Sequence, residues 1–336
     1  TDYFNTKLYT GTGSSNAITG IGFQPDFVWI KKRNGTTQHA LFDALRGTGK
    51  YLESSSTAPD QTDNNSLSAF GTDGFTVISK NSVNTNGDTY VSWNWKGANS
   101  SGTSNSDGSI TSTVSANTTA GFSIVKYTGT GSNATVGHGL GASPKMIIFK
   151  DTTNNNTNWS IYHKDIGNDY RLTLNDNTAR QGTNANYYQS TDPTSSVFYV
   201  GSNTRANASG AVTIAYCFAE KTGYSKFGSY TGNGNADGPF VYTGFKPAWV
   251  LVKKTSEARE WMIWDNKRDS FNVSKAVLHP DNNAAEDSST SYEMIDTLSN
   301  GFKLRQSDTD TNQSGGTFIY MAFAEEPLVA NVGQSI

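Results

Sequence analysis

Apolar residues in this chain come in short runs separated by polar stretches, and the runs recur in a fixed order. The segment Phe27-Val28-Trp29-Ile30-Lys31-Lys32 is apolar on both faces, which predicts a strand inside a sheet. It returns at 146–150 and 249–254, and each copy follows a proline (Pro25, Pro144, Pro247), a residue suited to a strand start. Shorter apolar runs at 40–43, 160–163 and 262–265 predict the next strand, and 51–52, 172–174 and 276–278 the one after. Phe75 and Val77, Phe198 and Val200, and Phe302 and Leu304 lie two apart, so each pair shares one face of a strand. The last strand of each set alternates cleanly: Val91, Trp93, Trp95; then Ile214, Tyr216, Phe218; then Ile319, Met321, Phe323. Asn/Gly-rich turns at 84–87, 207–210 and 312–316 precede these strands and predict hairpins. Long polar loops occupy 54–66, 175–186 and 281–291, and nowhere is a 3.6-residue period sustained.

The recurrence has a marker. Tyr9-Thr10-Gly11-Thr12-Gly13 returns as Tyr127-Thr128-Gly129-Thr130-Gly131 and as Tyr230-Thr231-Gly232-Asn233-Gly234. A repeat of about a hundred residues is a domain rather than a solenoid turn. The expected fold is therefore all-β: three tandem antiparallel β-sandwich domains, each with its own core. The boundaries fall at 1–98, 99–221 (a Ser/Thr/Asn-rich linker at 98–119, then the second repeat) and 222–327, with a tail at 328–336 leading to something else. Within the linker, 110–114 is a candidate added strand; the next linker, 221–225, is short and stiff.

Composition narrows the classes. Among 336 residues, 35% are hydrophobic and only 16% charged, but 12% are aromatic and the formal net charge is −3. Disorder brings few aromatics and high net charge, so polar loops on short strands fit better. Near-neutrality provides no electrostatic footprint for nucleic acid, and no apolar run is long enough for membrane insertion as a helix. Cys217 is the single cysteine, which excludes an intrachain disulfide. Thr1 stands where a start methionine would, so the chain reads as trimmed or begun at an internal residue.

Several segments together resemble a domain repeated in virion and tail-fibre-like structural proteins of marine tailed bacteriophages. They are the Tyr-Thr-Gly motif, His138-Gly139-Leu140-Gly141-Ala142-Ser143-Pro144, Asn158-Trp159-Ser160-Ile161-Tyr162-His163, Ala215-Tyr216-Cys217-Phe218-Ala219, and their counterparts in the other repeats. The resemblance covers nearly the whole chain. It implies a concanavalin- or laminin-G-like jelly-roll sandwich and a place on a virion. It hands over no catalytic or binding residues.

Candidate chemistry is sparse. His39, His138, His163 and His279 sit in unlike contexts, and the strand position of His163 is Asp43 or Asp265 in the other repeats. No nucleophile elbow, HExxH pair or phosphate loop occurs, so the chain reads as no enzyme, with no cofactor and no metal. A carboxylate pair hidden in the acidic loops is the exception that sequence leaves open. Asp43 with Arg46 and Asp265 with Arg268 form a D-x-x-R pattern, a sugar clamp or, the favoured reading, a turn-closing ion pair. Asp308-Thr309-Asp310-Thr311-Asn312 offers alternate oxygens for calcium, but lacks the glycine and distant glutamate of an EF-hand; a solvated turn is favoured. The best ligand-binding candidates are Trp159 and Trp261 at one strand position, with Tyr162 and Trp264 beside them, because an exposed aromatic stacks on a sugar face; that both tryptophans simply cap the edge of the core is the favoured reading. Trp29, Trp93, Trp95 and Trp249 belong to the core.

The expectation is a non-enzymatic virion protein, a tail fibre or receptor-binding protein, carried on the extracellular phage particle and made in the host cytoplasm. Its partners would be further copies of itself (a homo-oligomer, with a trimer favoured), other virion proteins and a host-surface glycan or receptor. The alternative is a structural, decoration or self-assembling appendage protein without a specific ligand; a polysaccharide depolymerase ranks third.

Overall fold

The computed structural model describes residues 2–288 and 294–324. The expected tail at 328–336, and the end of the loop at 281–291, lie outside these. Nearly every described element is a strand, and the sheets pair antiparallel. Two single helical turns, Asn81–Asn84 and Thr204–Asn207, are the only α-helical segments among the described residues.

Each repeat has two layers. In the first, the inner sheet runs Phe4–Thr10, Thr89–Trp95, Phe27–Lys32, Ala40–Asp43 in spatial order, and a smaller outer sheet runs Asn16–Thr19, Gly74–Val77, Leu67–Gly71. The third repeat has the same layout, with Ser225–Thr231, Thr317–Ala324, Pro247–Lys254, Trp261–Asp265 inside and Phe240–Tyr242, Gly301–Leu304, Ile295–Leu298 outside. In the second, the linker adds Thr103–Asn105 and Ser112–Asn117 to the edge of the inner sheet, a register slightly later than the expected 110–114, and Ile110 bridges Val136 of the outer pair. The doubly apolar strand is interior in every case, as its pattern requires. One face, with Val28 and Ile30, meets the repeat's own outer layer; the other, with Phe27 and Trp29, faces away from it.

The hairpin expected across 84–87 is not formed. Gly74–Val77 belongs to the outer sheet and Thr89–Trp95 to the inner one, so the intervening helical turn carries the chain between layers. The true outer hairpin pairs Leu67–Gly71 with Gly74–Val77.

The expectation of three self-sufficient cores is also corrected. Each repeat has a private cluster between its layers, but the inner sheets of all three pack against one another around one shared cluster. Its centre is a closed triangle of equivalent side chains from the three last strands. Ring centroids are 6.3 Å apart for Trp95 and Phe218, 6.1 Å for Phe218 and Phe323, and 5.6 Å for Trp95 and Phe323. Phe27 stacks on Tyr216 at 4.3 Å and Phe4 on Phe323 at 5.1 Å, so repeat one is tied by aromatic contact to both others.

The marker motif clasps the two layers of each repeat. The Tyr9, Tyr127 and Tyr230 hydroxyls donate to the carbonyls of Val83, Ala206 and Thr311 at 2.7, 2.5 and 2.9 Å. Buried Asn84, Asn207 and Asn312 accept from the amides of Thr12, Thr130 and Asn233. A Cβ at Gly11, Gly129 or Gly232 would lie 2.1–2.3 Å from a backbone oxygen of the turn it crosses. Glycine is required there for close approach, whereas at Gly13, Gly131 and Gly234 it serves a positive φ.

Candidate functional site

Where the repeats meet, equivalent positions form rings that close around the chain. The amides of Asp60, Arg180 and Glu286 donate to the carbonyls of Thr152, Thr255 and Arg33 at 3.1, 3.0 and 2.8 Å, each reaching into a neighbouring repeat. A second ring uses the strand position of the predicted sugar-stacking tryptophans. Trp159 Nε1 donates to the Glu53 carbonyl at 3.0 Å and Trp261 Nε1 to that of Thr173 at 2.9 Å. In repeat one, His39 Nε2 meets the His279 carbonyl at 3.0 Å, while its Nδ1 accepts from Trp29 Nε1 at 2.9 Å. That geometry requires a neutral imidazole, and burial pushes the pKa of His39 well below its ordinary value.

The four predicted binding aromatics are therefore corrected to structural ones. Trp159, Tyr162, Trp261 and Trp264 are each at most 2% exposed, so no face is free to stack on a sugar. Trp159 and Trp261 lie in the shared core. Tyr162 and Trp264 lie in the private clusters, where Tyr162 donates to Asp192 at 3.1 Å.

The D-x-x-R pairs hold two of the three junctions. Asp43 holds Arg46, and Asp265 holds Arg268, each through Nε to Oδ2 at 2.5 Å with both side chains nearly or fully buried. The turn-closing reading is correct as far as it goes, because each carboxylate also caps the arginine's own amide at 2.9 Å. Each then accepts from the next repeat: Asp43 from the Tyr216 hydroxyl at 2.8 Å, Asp265 from Trp93 Nε1 at 3.0 Å. The register places Trp93, Tyr216 and Met321 at equivalent positions. Met321 has no proton to donate, and the position that would receive it is His163, followed by Ile166 instead of an arginine. His163 instead meets the Tyr320 carbonyl at 3.4 Å, with burial pushing its pKa down to about 4.

The junction of repeats one and two is open. A cleft of about 400 Å3 is lined by Leu45, Arg46, Lys50 and Asp60 of repeat one and by Lys126, Thr152, Thr153, Val212 and Ile214 of repeat two. Its volume is in the range of small-molecule sites. Asp60 binds Arg46 Nη1 at 2.8 Å and Lys50 at 3.4 Å. Lys126 reaches the Leu45 carbonyl at 3.5 Å. A second, shallower hollow of about 570 Å3 runs past Thr36, Glu53, Asp63, Lys80 and Asn283. Its Lys80 is committed to Asp63 at 3.1 Å and to the ring of Tyr51.

Other chemistry is accounted for by packing. Burial pushes the Lys31, Lys150 and Lys253 ammonium groups down to about 8, but they donate to the loop carbonyls of Gly35, Thr157 and Asn177, and none lines either cleft. Asp281, pushed up to about 7 by burial and then by Glu260, caps the Trp261 amide at 3.2 Å and lines neither cleft. The 308–312 segment is a turn in which Asp308 accepts from the amides of Asp310 and Thr311 at 2.8 Å. Among the described residues no group of three His, Cys, Asp or Glu could hold a metal, and no helix is long and apolar enough to cross a membrane.

The domain family described as Domain of unknown function (DUF7483) matches residues 1–327. No curated protein and no solved structure matches the chain.

Proposed function

The chain belongs to the DUF7483 family, whose description names no activity, and we propose that it is a non-enzymatic bacteriophage virion protein of the tail-fibre or receptor-binding kind. The observation that carries the recognition role is the single core shared by three repeats. It makes one body on which the long polar loops are fastened across the junctions through Asp60, Arg180 and Glu286, and loops held on a scaffold are where recognition concentrates. The virion setting rests on the sequence resemblance alone, as does descent of the repeat from concanavalin- or laminin-G-like sandwiches. The ligand is a host-surface glycan or protein, and self-association into a trimer would add avidity. The test is binding of the labelled protein to a panel of marine bacterial cells, with free glycans as competitors. Saturable, competed binding supports the reading; absence of binding by the correctly assembled protein overturns it.

One observation favours the structural alternative. Phe240 and Tyr242, on the outer sheet of repeat three, are 44% and 62% exposed, and Phe271 is 85% exposed. The register puts Ala17 and Thr19 at the positions of Phe240 and Tyr242 in repeat one, and Thr135 and Gly137 in repeat two. An aromatic patch confined to one repeat suits contact with another virion protein.

A further inference from the structure

We propose that the cleft between repeats one and two is a binding site for a small carboxylate-bearing sugar, a uronic acid being the simplest case. The corresponding place between repeats three and one is filled. There Arg33 reaches from repeat one to Glu286, through Nε and Nη2 at 2.8 Å each, and Arg268 meets the same carboxylate at 3.3 Å. The ring of backbone bonds makes Asp60 the equivalent of Glu286, and Thr152 the equivalent of Arg33. At the first junction the long guanidinium is thus replaced by a threonine, and the space it would fill is the cleft.

The walls say what the space accepts. Arg46, Lys50 and Lys126 set three positive charges against two carboxylates, Asp60 in the wall and the buried Asp43 behind Arg46. Both oxygens of Asp60 are already engaged, by Arg46 and Lys50. Arg46 is also committed to Asp43 and to the Leu41 carbonyl. The ammonium groups of Lys50, which is about half exposed, and Lys126 retain protons for an incoming anion. Lys126 is particular to this junction, because register places Leu8 and Ser229 at its equivalents. Beside the charges lie the hydroxyls of Thr152 and Thr153 and the methyl groups of Leu45, Val212 and Ile214. An anionic group flanked by hydroxyls and C–H surface is the chemistry of a sugar acid. The choice of a sugar over other carboxylates rests on the recognition role proposed above; the anion site itself rests on the cleft alone.

The test uses the purified full chain and sodium glucuronate, with glucose and inorganic phosphate as comparisons, read by titration calorimetry and ligand-observed NMR. Glucuronate is expected to bind, and glucose is not. Thr152→Arg, which gives this junction the side chain its counterpart already accommodates, should abolish binding. Lys126→Ser, the residue repeat three carries, should weaken it by about tenfold or more through loss of a charge-assisted hydrogen bond. Arg33→Ala, at the other junction, should leave it unchanged. No glucuronate binding, equal binding of glucose or phosphate, or undiminished binding by folded Thr152→Arg would each overturn the proposal. Because the assay contains no cells, its failure is separable from failure of the recognition role.

Discussion

The junction of repeats two and three differs from the other two in a way that explains both. At the junctions built on Asp43 and Asp265, a buried carboxylate holds an arginine of its own turn and accepts a hydrogen bond from the neighbouring repeat. At the junction built on His163, the neighbour offers Met321, the arginine is Ile166, and the carboxylate is a neutral imidazole. A buried carboxylate is tolerable only when its lone pairs are filled. Where the donor from across the junction is lost, the acid and its arginine are lost with it. The D-x-x-R pattern is therefore one half of an inter-repeat contact whose other half is Trp93 or Tyr216.

The largest expected effect follows directly. Asp265→Ala takes from Arg268 its closest carboxylate, leaving it Glu286 at 3.3 Å and the Ile263 carbonyl, and leaves Trp93 Nε1 without its acceptor. Breaking a buried pair by removing one partner costs about 3–5 kcal/mol. His163→Ala removes a neutral group with two long hydrogen bonds, to the Tyr320 carbonyl at 3.4 Å and from the Asp165 amide at 3.2 Å, and should cost clearly less. Urea midpoints at constant m-value measure both. Equal losses at the two sites would break the distinction between the junctions.

The acid response comes next. Burial pushes the pKa of His163 down to about 4 and holds His39 and His138 below their ordinary range. In the unfolded chain each binds a proton near pH ~6.5. Between pH ~6.5 and about 4 the unfolded state thus carries more protons, so stability is fully present above pH ~6.5 and declines as pH falls through that window. His163→Asn should flatten part of this decline in a thermal-melting series against pH, whereas Asp265→Asn should leave the histidine-driven slope in place. An unchanged slope in His163→Asn would show that the imidazole is not held neutral at this junction.

How much of this was legible in the sequence depends on what a periodicity encodes. Alternation along Val91, Trp93, Trp95 identifies the buried face, and that face is buried. It carries no information on what covers the face, so three separate cores and one shared core read alike. The same alternation was decisive for Trp159 and Trp261. Each precedes a core isoleucine, Ile161 or Ile263, by two residues and so points the same way, inward. Parity also marks Asp43, His163 and Asp265 as inward-facing polar residues, each two beyond Leu41, Ile161 or Ile263. A polar side chain in that place needs a partner, and this was the signal available for the junctions. The cleft had no such signal, because it depends on Thr152 standing where another repeat carries Arg33. The aligned strands already put Thr152 at the position of Arg33, but only the ring of backbone bonds shows that this position faces a loop of the neighbouring repeat.

Tyr216→Phe probes the contact from its other side. The hydroxyl is removed while Asp43 keeps Arg46, so no charge is stranded. A hydrogen bond to a charged acceptor contributes about 1.5–3 kcal/mol, and the loss should fall in that range. In combination with Asp43→Asn, the double-mutant cycle should show coupling of the two residues. Additive losses would mean that the two side chains pack side by side without a significant bond.

The smallest effect concerns the side chain that separates the filled junction from the open one. Arg33 is 23% exposed at its side chain and Glu286 10%, so solvent screens their attraction more than it does the Asp265–Arg268 pair beneath. In Arg33→Ala, Glu286 still has Arg268 at 3.3 Å, and no carboxylate is left wholly unpaired. A loss of about 1 kcal/mol or less is expected, shrinking further as salt is raised. The substitution should also open a second cleft, but not a second anion site. The position of Lys126 is Leu8 in repeat one, and that of Lys50 is Ala276 in repeat three, so Glu286 would dominate the new space. Glucuronate binding to Arg33→Ala should therefore remain at one site per chain. A second site would mean that the shape of the junction, rather than its lysines, selects the ligand.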